Sequence, residues 1–430
     1  MVSDQRRVAV LGAGALGLAA ARRLTRSGFH VTLIEREPLP GGLAAGFRVG
    51  QVWLEKFYHH IFGTDTRIIG LIDELGLWAD MHWGSSPTAM LRDDHIYRLD
   101  GPIPVLQFSP LSVPSRLRLG AGLAALKLIR DPGMFEQQTA AEWIRRWMGR
   151  QVYEVVWEPL LRGKFGQYAE QVSMSWFWAR IYCRTPKLGY LRGGFQQLYE
   201  ALADEIRTQG SEIQLETSAT CIEQVQNGIK VETDRGAQVY DRVLCTLPTR
   251  LFIQLTRGLP EDYRERYQLA IDHHSAHCLI LEMDRQLQAS YWLNINDPGY
   301  PFLALVEHTN IIPPADYGGA HLVYLGNYLP PEHEIFTLSG EQMFERYLPH
   351  IQRINPRFDR SCVRKIHSFS AHYAQPIVRV GYPSLLAPHR TPIEGVWLAN
   401  MGHVYPQDRG QNYSLALGER VADMIIQDQS

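Results

Sequence analysis

The sequence has few cysteines for its length. Its 430 residues include five isolated ones: Cys183, Cys221, Cys245, Cys278 and Cys362. An odd number of scattered cysteines with no C-x-x-C pair excludes a disulfide framework and a cysteine zinc site, and it is typical of reduced thiols in a cytoplasmic protein. Nor do the adjacent histidine pairs His59–His60 and His273–His274 have the i, i+4 spacing of a helical zinc site. We therefore expect no bound metal.

The sequence also lacks a hydrophobic run long enough to span a membrane. The longest run, Leu117 to Ile129, is broken by Arg118 and Lys127 and is shorter than the roughly 20 residues required. It predicts an amphipathic helix packed on the core; a position on a membrane surface or along a substrate channel is the alternative, which leaves peripheral membrane contact open. The N-terminal residues lead directly into an apolar strand without the pattern of a signal peptide.

A strong charge of either sign is missing as well. The formal net charge is -2, with 20% charged and 45% hydrophobic residues. These values are typical of a globular protein and exclude a chain that coats nucleic acid, so we expect no nucleic-acid partner. A length of 430 residues predicts two domains, and it leaves the oligomeric state open.

The N-terminal region is organised as one β-α-β unit. Val8 to Leu11 is a short apolar run, Leu16 to Ser27 has helical composition, and Val31 to Glu35 reads as a second buried strand. The turn between the first strand and the helix is rich in glycine. This order of elements is typical of a domain that binds a dinucleotide.

Gly12, Gly14 and Gly17 form a G-x-G-x-x-G motif in this turn, and Glu35 ends the next strand about 20 residues on. Gly12 permits the tight turn, Gly14 lets the backbone approach a pyrophosphate, and Gly17 allows close packing of helix and strand. Glu35 is expected to accept hydrogen bonds from the adenosine ribose. The residues predicted to contact the dinucleotide here are Gly12, Ala13, Gly14, Leu16, Gly17, Glu35 and Arg36.

A glycine pair follows in the segment R-E-P-L-P-G-G-L, from Arg36 to Leu43. It is either an ordinary surface turn or a place where backbone passes close to a ligand. After the G-x-G-x-x-G motif, the pair resembles the FAD superfamily of amine oxidases, protoporphyrinogen oxidases, phytoene desaturases and UDP-galactopyranose mutases. The resemblance implies that Gly41, Gly42 and Leu43 lie beside the ribityl and pyrophosphate of FAD. No cysteine or histidine lies in an attachment motif, so we expect the FAD to be non-covalent.

The resemblance resumes later in the chain. Leu191 to Phe195 is similar to the "GG-aromatic" segment that opens the returning FAD domain, and Ile222 stands where family members lay backbone along the adenine. Gly395 to Gly402 and Asp408 to Tyr413 are similar to the closing strand, loop and helix start around the flavin. The contacts implied there are Gly402, Asp408, Gln411, Asn412 and Tyr413. The commonest family form has Gly-Asp or Gly-Glu where Met401-Gly402-His403 stand.

The fold class implied is α/β with an α+β second domain. A Rossmann-like FAD-binding domain of the glutathione-reductase/amine-oxidase type is interleaved with a mixed-sheet and helical substrate domain. We assign residues 1–75, 191–250 and 376–430 to the FAD-binding domain and residues 76–190 and 251–375 to the substrate-binding domain.

Three segments supply candidate catalytic residues. Tyr58 to Thr64 is similar to a histidine-containing stretch that galactopyranose mutases place near the flavin. Because a histidine ordinarily titrates near neutrality, His59 or His60 is expected to donate to the flavin or a substrate; a structural cluster is the alternative. Glu158 to Gly166 is similar to a region of protoporphyrinogen oxidase relatives, in which Lys164 or Arg162 binds an anionic group or simply lies exposed beside a turn. The third segment is a group of aromatic residues that walls a pocket or packs in the core: Trp143, Trp147, Trp157, Trp176, Phe177, Trp178 and Tyr182.

The leading hypothesis is an FAD-dependent oxidoreductase. It would transfer a hydride from a small organic substrate, apolar or sugar-containing, to flavin N5, with reoxidation by oxygen or another acceptor. The first alternative is a UDP-galactopyranose-mutase-like enzyme acting on a nucleotide sugar, which requires Arg162, Arg180, Arg184 and Arg192 to converge on a diphosphate. The second alternative is a non-catalytic flavin-binding protein. An NAD-dependent dehydrogenase explains neither the glycine pair nor the C-terminal return to the cofactor domain.

Overall fold

The computed structural model describes residues 6–428. The first five residues, which bear on the signal-peptide prediction, lie outside them. The strands, in chain order, are β1 Arg7–Leu11, β2 His30–Ile34, β3 Gly46–Val49, β4 Val52–Glu55, β5 Ile61–Phe62, β6 Met81–Ser85, β7 Thr88–Arg92, β8 His95–Arg98, β9 Lys187–Leu191, β10 Glu212–Gln214, β11 Ala219–Val225, β12 Gly228–Thr233, β13 Gly236–Tyr240, β14 Arg242–Cys245, β15 His273–Met283, β16 Trp292–Ile295, β17 Ala304–Glu307, β18 His321–Leu329, β19 Val363–Pro376 and β20 Val396–Leu398.

The α-helices vary widely in length. In chain order they are α1 Ala15–Arg26, α2 Thr66–Glu74, α3 Pro102–Gln107, α4 Val113–Leu128, α5 Ala140–Trp147, α6 Arg150–Val152, α7 Glu158–Phe165, α8 Met174–Tyr182, α9 Gln196–Thr208, α10 Thr249–Leu255, α11 Glu261–Tyr267, α12 Gly340–Ile354 and α13 Gln411–Gln427. A π-helical segment, Tyr153–Trp157, joins α6 to α7.

A parallel sheet in the order β10-β2-β1-β14-β20 forms the centre of one half of the molecule. Val8 and Val10 of β1 are fully buried beneath α1, α9 and α13, whereas Ala9 and Leu11 face a second apolar cluster on the other side of the sheet. The strand is therefore apolar on both faces, as a central parallel strand requires. The five strands of this parallel sheet come from three separate stretches of the chain.

The other half contains a seven-stranded mixed sheet in the order β19-β15-β18-β17-β16-β7-β8. Along β15, Cys278 and Ile280 point toward the parallel-sheet half, and Leu279 and Leu281 point toward α12. This alternation is the two-residue period of a strand buried on both sides. The mixed sheet is thus held between α12 and the parallel-sheet half.

A helical region, α3 to α8, completes this half around its own apolar cluster. Helix α5 begins with a capping box, in which the Thr139 hydroxyl accepts from the Glu142 N–H and the Glu142 carboxylate accepts from the Thr139 N–H. Residues 84–114 combine strands β7 and β8 with α3 and the first two residues of α4. Arg162 and Lys164 lie on α7, and Lys164 is buried there and not exposed beside a turn.

The domain assignment remains a prediction, with one difference at its boundary. Residues 251–267 were assigned to the substrate domain, yet Phe252, Ile253 and Tyr263 of α10 and α11 pack against Ala9 and Val243 of the parallel sheet. Apolar burial therefore joins this segment to the half that contains the G-x-G-x-x-G turn.

Candidate active site

The three glycines of the N-terminal turn have different physical reasons to be glycine. Gly12 has φ +103°, and a Cβ there would lie 2.5 Å from the Thr246 Oγ1. A Cβ on Gly17 would lie 1.9 Å from the Gly12 carbonyl oxygen, so this glycine permits the close packing of α1. Gly14 has φ -70°, and a Cβ there would meet only the Gly42 Cα, at 4.0 Å. Neither backbone strain nor packing requires a glycine at position 14, so the open space beside it is available to a ligand.

The glycine pair lies directly against this turn. The Gly41 N–H donates to the Ala13 carbonyl at 2.8 Å, and a Cβ on Gly42 would lie 3.0 Å from the Gly14 Cα. Gly41 and Gly42 have φ +119° and +58°, which are conformations that favour glycine. The pair is therefore not an isolated surface turn: Ala13, Gly14, Gly41 and Gly42 form one continuous backbone wall, with the half-buried Leu43 in the next turn.

The Glu35 carboxylate fixes the far end of this wall. One oxygen accepts from the Ala13 N–H at 2.7 Å, and the other accepts from the Glu37 N–H at 3.0 Å. A carboxylate has about four acceptor positions, so both oxygens can still accept from a ribose hydroxyl. Arg36 points to solvent and pairs only with Glu37, and Leu16 is buried in the core beneath α13. The side chains of these last two residues lie away from the wall.

The first turn of α13 closes the site from the C-terminal side. Gln411 is buried; its Oε1 accepts from the Tyr199 hydroxyl, and its Nε2 has no partner among the described residues. A buried amide N–H₂ without an acceptor is costly unless a ligand supplies one. Because the Tyr199 ring also packs against Gly41, this unpaired donor belongs to the same site as the glycine wall.

The neighbouring predicted contacts have other partners. Asn412 caps α2, since its Oδ1 accepts from the Arg67 and Ile68 N–H groups at 2.9 and 3.1 Å. Tyr413 is half-buried, and burial raises the pKa of its hydroxyl. Gly402 lines a cavity of about 330 Å³ together with Asn400, His273 and His274. The cavity wall at Gly402 is rigid, because its N–H donates to Asn400 and its carbonyl accepts from Tyr382.

Ile222 lies apart from these residues. Its side chain is fully buried, it pairs with Val231 of β12 on one edge, and its carbonyl accepts from the Arg257 N–H on the other. A residue paired on both edges has no free backbone for an adenine. A break in the pairing lies nearer the start of β11, between Ala219 and Cys221. The geometry therefore does not support the predicted adenine contact at Ile222.

Asp408, expected to contact the cofactor, instead holds a cluster of cations. One carboxylate oxygen accepts from Lys164 at 2.8 Å and from Arg180 at 2.7 Å. The other accepts from the Trp176 indole N–H at 3.1 Å and from the Arg409 N–H, also at 3.1 Å. With both oxygens doubly occupied, the carboxylate has no capacity left for a ligand. These cations keep the pKa of Asp408 well below its usual range despite its burial.

Lys164 is the most deeply buried cation of the cluster. Its ammonium lies 5.1 Å from the Trp176 ring centroid and 5.5 Å from that of Tyr328. Burial lowers the pKa of Lys164 to about 7, although Asp408 opposes this effect. Arg409, next to α13, donates to the Tyr328 hydroxyl at 2.7 Å and to Gln375 at 2.6 Å. The cation cluster therefore lies immediately before the helix start that carries Gln411.

The two predicted histidines border the same cluster. Burial lowers the pKa of His59 to about 4 and that of His60 to about 3, and the nearby arginines Arg409 and Arg184 contribute. Both imidazoles are therefore neutral at pH 7. The His59 Nδ1–H donates to the Phe57 carbonyl at 2.7 Å, which makes its Nε2 an acceptor. His59 is thus suited to accept a hydrogen bond, not to donate one as a cation.

Arg184 is the cation of this region that is free to bind a ligand. Arg184 is an exposed residue, yet desolvation by the surrounding protein and then the charge of Arg180 lower its pKa to about 10. Within residues 6–428 its guanidinium has no hydrogen-bond or ion-pair partner, although its backbone carbonyl accepts from Lys127. Of the four arginines required by the mutase hypothesis, only Arg180 and Arg184 converge. Arg162 pairs with Glu158 on the surface, and Arg192 lies near Asp316.

Sequence reasoning missed Arg409 and Tyr328, which complete the cation cluster. It also left open whether the aromatic group forms a pocket or the core. Trp176 both packs in the core and binds Asp408, Trp147 is 58% exposed, and the remainder are mainly core.

Across the part of the chain that the structure describes, no group of three or more His, Cys, Asp or Glu side chains is arranged to hold a metal ion, and no helix is long and apolar enough to cross a membrane.

Changing the pH tests the charge state of Lys164. Because its pKa is about 7, the positive charge of the cluster decreases as the pH rises through 7. We expect the affinity for sulfate, whose own charge is constant in this range, to fall about tenfold between pH 6 and pH 8.5. In Lys164→Arg the sulfate affinity should not fall over this pH range, because an arginine keeps its positive charge throughout it. A pH-independent sulfate affinity in the unmodified protein, measured by isothermal titration calorimetry, would contradict the assignment.

Comparison with known proteins places this geometry in a family. The sequence profile described as "Flavin containing amine oxidoreductase" matches residues 17–407. The chain belongs to the flavin-containing amine oxidoreductase family. The glycine wall and the start of α13 lie within or beside the matched residues. The family membership confirms the resemblance stated from the sequence.

Individual relatives are more distant. A protein of Mycobacterium tuberculosis named as a candidate flavin-containing monoamine oxidase, AofH, is 27% identical over 282 residues, which cover 60% of this chain and 61% of that protein. Mitochondrial protoporphyrinogen oxidase of Nicotiana tabacum is 26% identical over 183 residues, or 40% of this chain and 35% of that enzyme. The matches thus span about three fifths of the first protein and about a third of the second.

Solved structures resemble the whole chain. A candidate protoporphyrinogen oxidase from Exiguobacterium sp. 255-15 superposes with a TM-score of 0.79 at 19% identity, covering 100% of both chains. Reduced UDP-galactopyranose mutase superposes with a TM-score of 0.76 at 15% identity, covering 98% of this chain and 96% of that one. At these identities the similarity shows the fold alone, and it confirms the predicted fold class.

Proposed function

We propose that the protein is an FAD-dependent oxidoreductase that removes a hydride from a small organic substrate bearing an anionic group. The observation that carries the proposal is the convergence at the start of α13. Gln411, whose Nε2 has no partner among the described residues, accepts from Tyr199, whose ring packs against Gly41 of the glycine wall, and Arg409 begins the cation cluster. When bound, FAD supplies the hydride acceptor, its N5 atom. The glycine wall, Glu35 and Gln411 are the residues that would hold FAD.

The chain's own side chains bind and orient the substrate. Arg184, supported by Arg180, offers an unpaired guanidinium to a carboxylate or phosphate. His59 presents a neutral Nε2 that accepts a hydrogen bond from a substrate N–H or O–H. The aromatic rings of Tyr58 and Trp292 pack edge to face, and Tyr58 also contacts Tyr328, so these side chains form an aromatic group beside the cation cluster. We assign these residues positioning and binding roles, and oxygen or another acceptor reoxidises the flavin.

Paired substrates test the proposal. A panel of amines, amino acids and hydroaromatic carboxylic acids, each with its methyl ester, is mixed anaerobically with flavin-loaded protein, and the loss of flavin absorbance is followed. We expect the acids to reduce the flavin with a KM about tenfold lower than that of their esters, and Arg184→Gln to remove the preference while kcat stays unchanged. Arg162→Gln, on the surface, is the matched control. Equal KM values for acids and esters would contradict the anion site.

The second candidate is a mutase-like enzyme acting on a nucleotide sugar, favoured by the convergence of Arg180 and Arg184 next to the two histidines. It requires the reduced flavin and no net electron transfer. If the reduced protein isomerises a nucleotide sugar and no panel member reduces the oxidised protein, this candidate replaces the first. A non-catalytic flavin-binding protein would show neither activity.

All five cysteines are free thiols, which supports a cytoplasmic location.

A further inference from the structure

Helix α4 exposes one continuous apolar face. The face consists of Val113, Leu117, Gly120, Ala121, Ala124 and Leu128, all of which are exposed. At 3.6 residues per turn these six positions lie within an arc of about 100°. Three of them are large side chains with exposed fractions of 62% for Val113, 58% for Leu117 and 80% for Leu128. Single exposed apolar side chains are common on protein surfaces, whereas a contiguous exposed apolar patch marks an interaction site. The alignment of these side chains on one face therefore indicates a contact surface.

The opposite face of α4 is also apolar but is buried. Leu119, Gly122 and Leu126 pack into the helical region, and a Cβ on Gly122 would lie 2.7 Å from Met148. The helix is therefore fixed in place by its inner face, and the outer face needs a different partner. Arg116 extends this surface to α3 by donating to the Leu106 carbonyl, which brings the exposed Ile103 and Leu106 alongside.

The charge around the outer face has one sign. From Gly101 to Arg130 the sequence contains no Asp or Glu. Its charged residues are all basic: Arg116, Arg118, Lys127 and Arg130. On the helix, Arg118 borders one side of the apolar face, and Arg116 and Lys127 border the other. A chain with net charge -2 thus concentrates positive charge beside the exposed Leu117 and Leu128.

We propose that this surface of α3 and α4 docks on an anionic lipid bilayer. An apolar face bordered by Arg and Lys is the pattern of a helix that lies in the interface between lipid headgroups and acyl chains, embedded by about five to ten ångströms. No described helix is long enough to cross a membrane, so the contact is peripheral. The basic border selects an anionic surface, and it disfavours a second copy of the same positively charged face.

The docking surface adjoins Arg184 of the candidate active site. The Lys127 ammonium donates to the carbonyls of Tyr182 and Arg184 at 3.0 and 2.5 Å, so the end of α4 lies beside the unpaired guanidinium. A lipid-embedded amphiphile with an anionic headgroup would therefore meet Arg184 first. This last consequence rests on the proposed function, whereas the docking itself does not.

Vesicle flotation tests the docking without any measurement of activity. Flavin-loaded protein is mixed with phosphatidylcholine vesicles, with or without phosphatidylglycerol, and the fraction that floats is measured. We expect binding to the anionic vesicles only. The double variant Leu117→Ser/Leu128→Ser should bind at least about tenfold more weakly, and Arg118→Gln and Arg130→Gln about fivefold each. The matched control is Trp78→Ser/Val239→Ser, which removes two exposed apolar side chains elsewhere and should bind as the unmodified protein does.

Two kinds of result would overturn the docking proposal. If the protein binds neither vesicle, or binds equally well after the leucines are replaced, the surface does not dock on lipid. If light scattering shows a dimer that the leucine variant abolishes, a second copy covers the face instead. Visible absorbance confirms that every variant retains flavin and is folded. Normal flotation of a protein that oxidises no panel substrate would leave the docking intact and reject only the proposed function.

Discussion

Replacing Gly14 with valine is expected to give a folded protein that retains less than about a tenth of its flavin. The backbone at Gly14 has φ -70°, and a Cβ there lies 4.0 Å from its nearest neighbour, the Gly42 Cα, so the fold accepts a side chain. The same side chain projects into the space beside the glycine wall, where the pyrophosphate of a dinucleotide would approach the backbone. Circular dichroism and the ratio of flavin to protein absorbance measure the two effects separately.

Gly17→Ala is the matched comparison. Its Cβ would lie 1.9 Å from the Gly12 carbonyl oxygen, so the loss should appear first in stability and only then in flavin content. If Gly14→Val retained full flavin occupancy, the glycine wall would not be the pyrophosphate site. If Gly14→Val failed to fold, the inference that open space lies beside Gly14 would be wrong.

Removing the carboxylate of Asp408 is expected to have the largest effect on stability. In Asp408→Asn, Lys164, Arg180 and Arg409 lose the shared anion, and the buried Lys164 loses the one ion-pair partner that it has within residues 6–428. We expect the free energy of unfolding to fall by about 3 kcal/mol, mostly from Lys164, because Arg180 is more exposed and better screened. Urea unfolding followed by fluorescence measures the change.

The pH dependence of this stabilisation has a definite sign. The pKa of Asp408 is lower in the folded protein than in the unfolded chain, so its stabilisation is complete above the unfolded pKa and is lost only as the pH falls through the folded value. Glu334→Gln breaks an exposed pair with Arg346 and should cost less than about 0.5 kcal/mol. An Asp408→Asn variant no less stable than this control would show that the cation cluster does not depend on the carboxylate.

The sequence predicted the parts of the site that are encoded locally. Gly12, Gly14 and Gly17 each follow from a short motif whose spacing is fixed by one turn, and Glu35 follows from the length of one β-α-β unit. The role of Asp408 was not accessible in this way. Its partners Lys164 and Arg180 lie more than two hundred residues away in the chain, and only tertiary folding brings them together.

Other differences have equally local causes. Strand β19 was not predicted because it is an edge strand with many exposed polar residues, so it lacks the apolar pattern of a buried strand. Ile222 was placed beside the adenine by position along the chain, but a pairing irregularity near Cys221 changes which residues have a free edge. The Leu117 to Ile129 run forms a helix that packs on the core, as predicted, but the helix is not amphipathic, because a second apolar face is exposed.

The most direct test of the account is to denature the purified protein, identify the released cofactor by mass, and then reduce the intact protein anaerobically with a substrate. The account predicts FAD, released without covalent attachment, and bleaching of the flavin by a substrate that carries an anionic group. A protein that cannot bind FAD even after reconstitution, or that binds it but is never reduced by any organic substrate, would contradict the central claim.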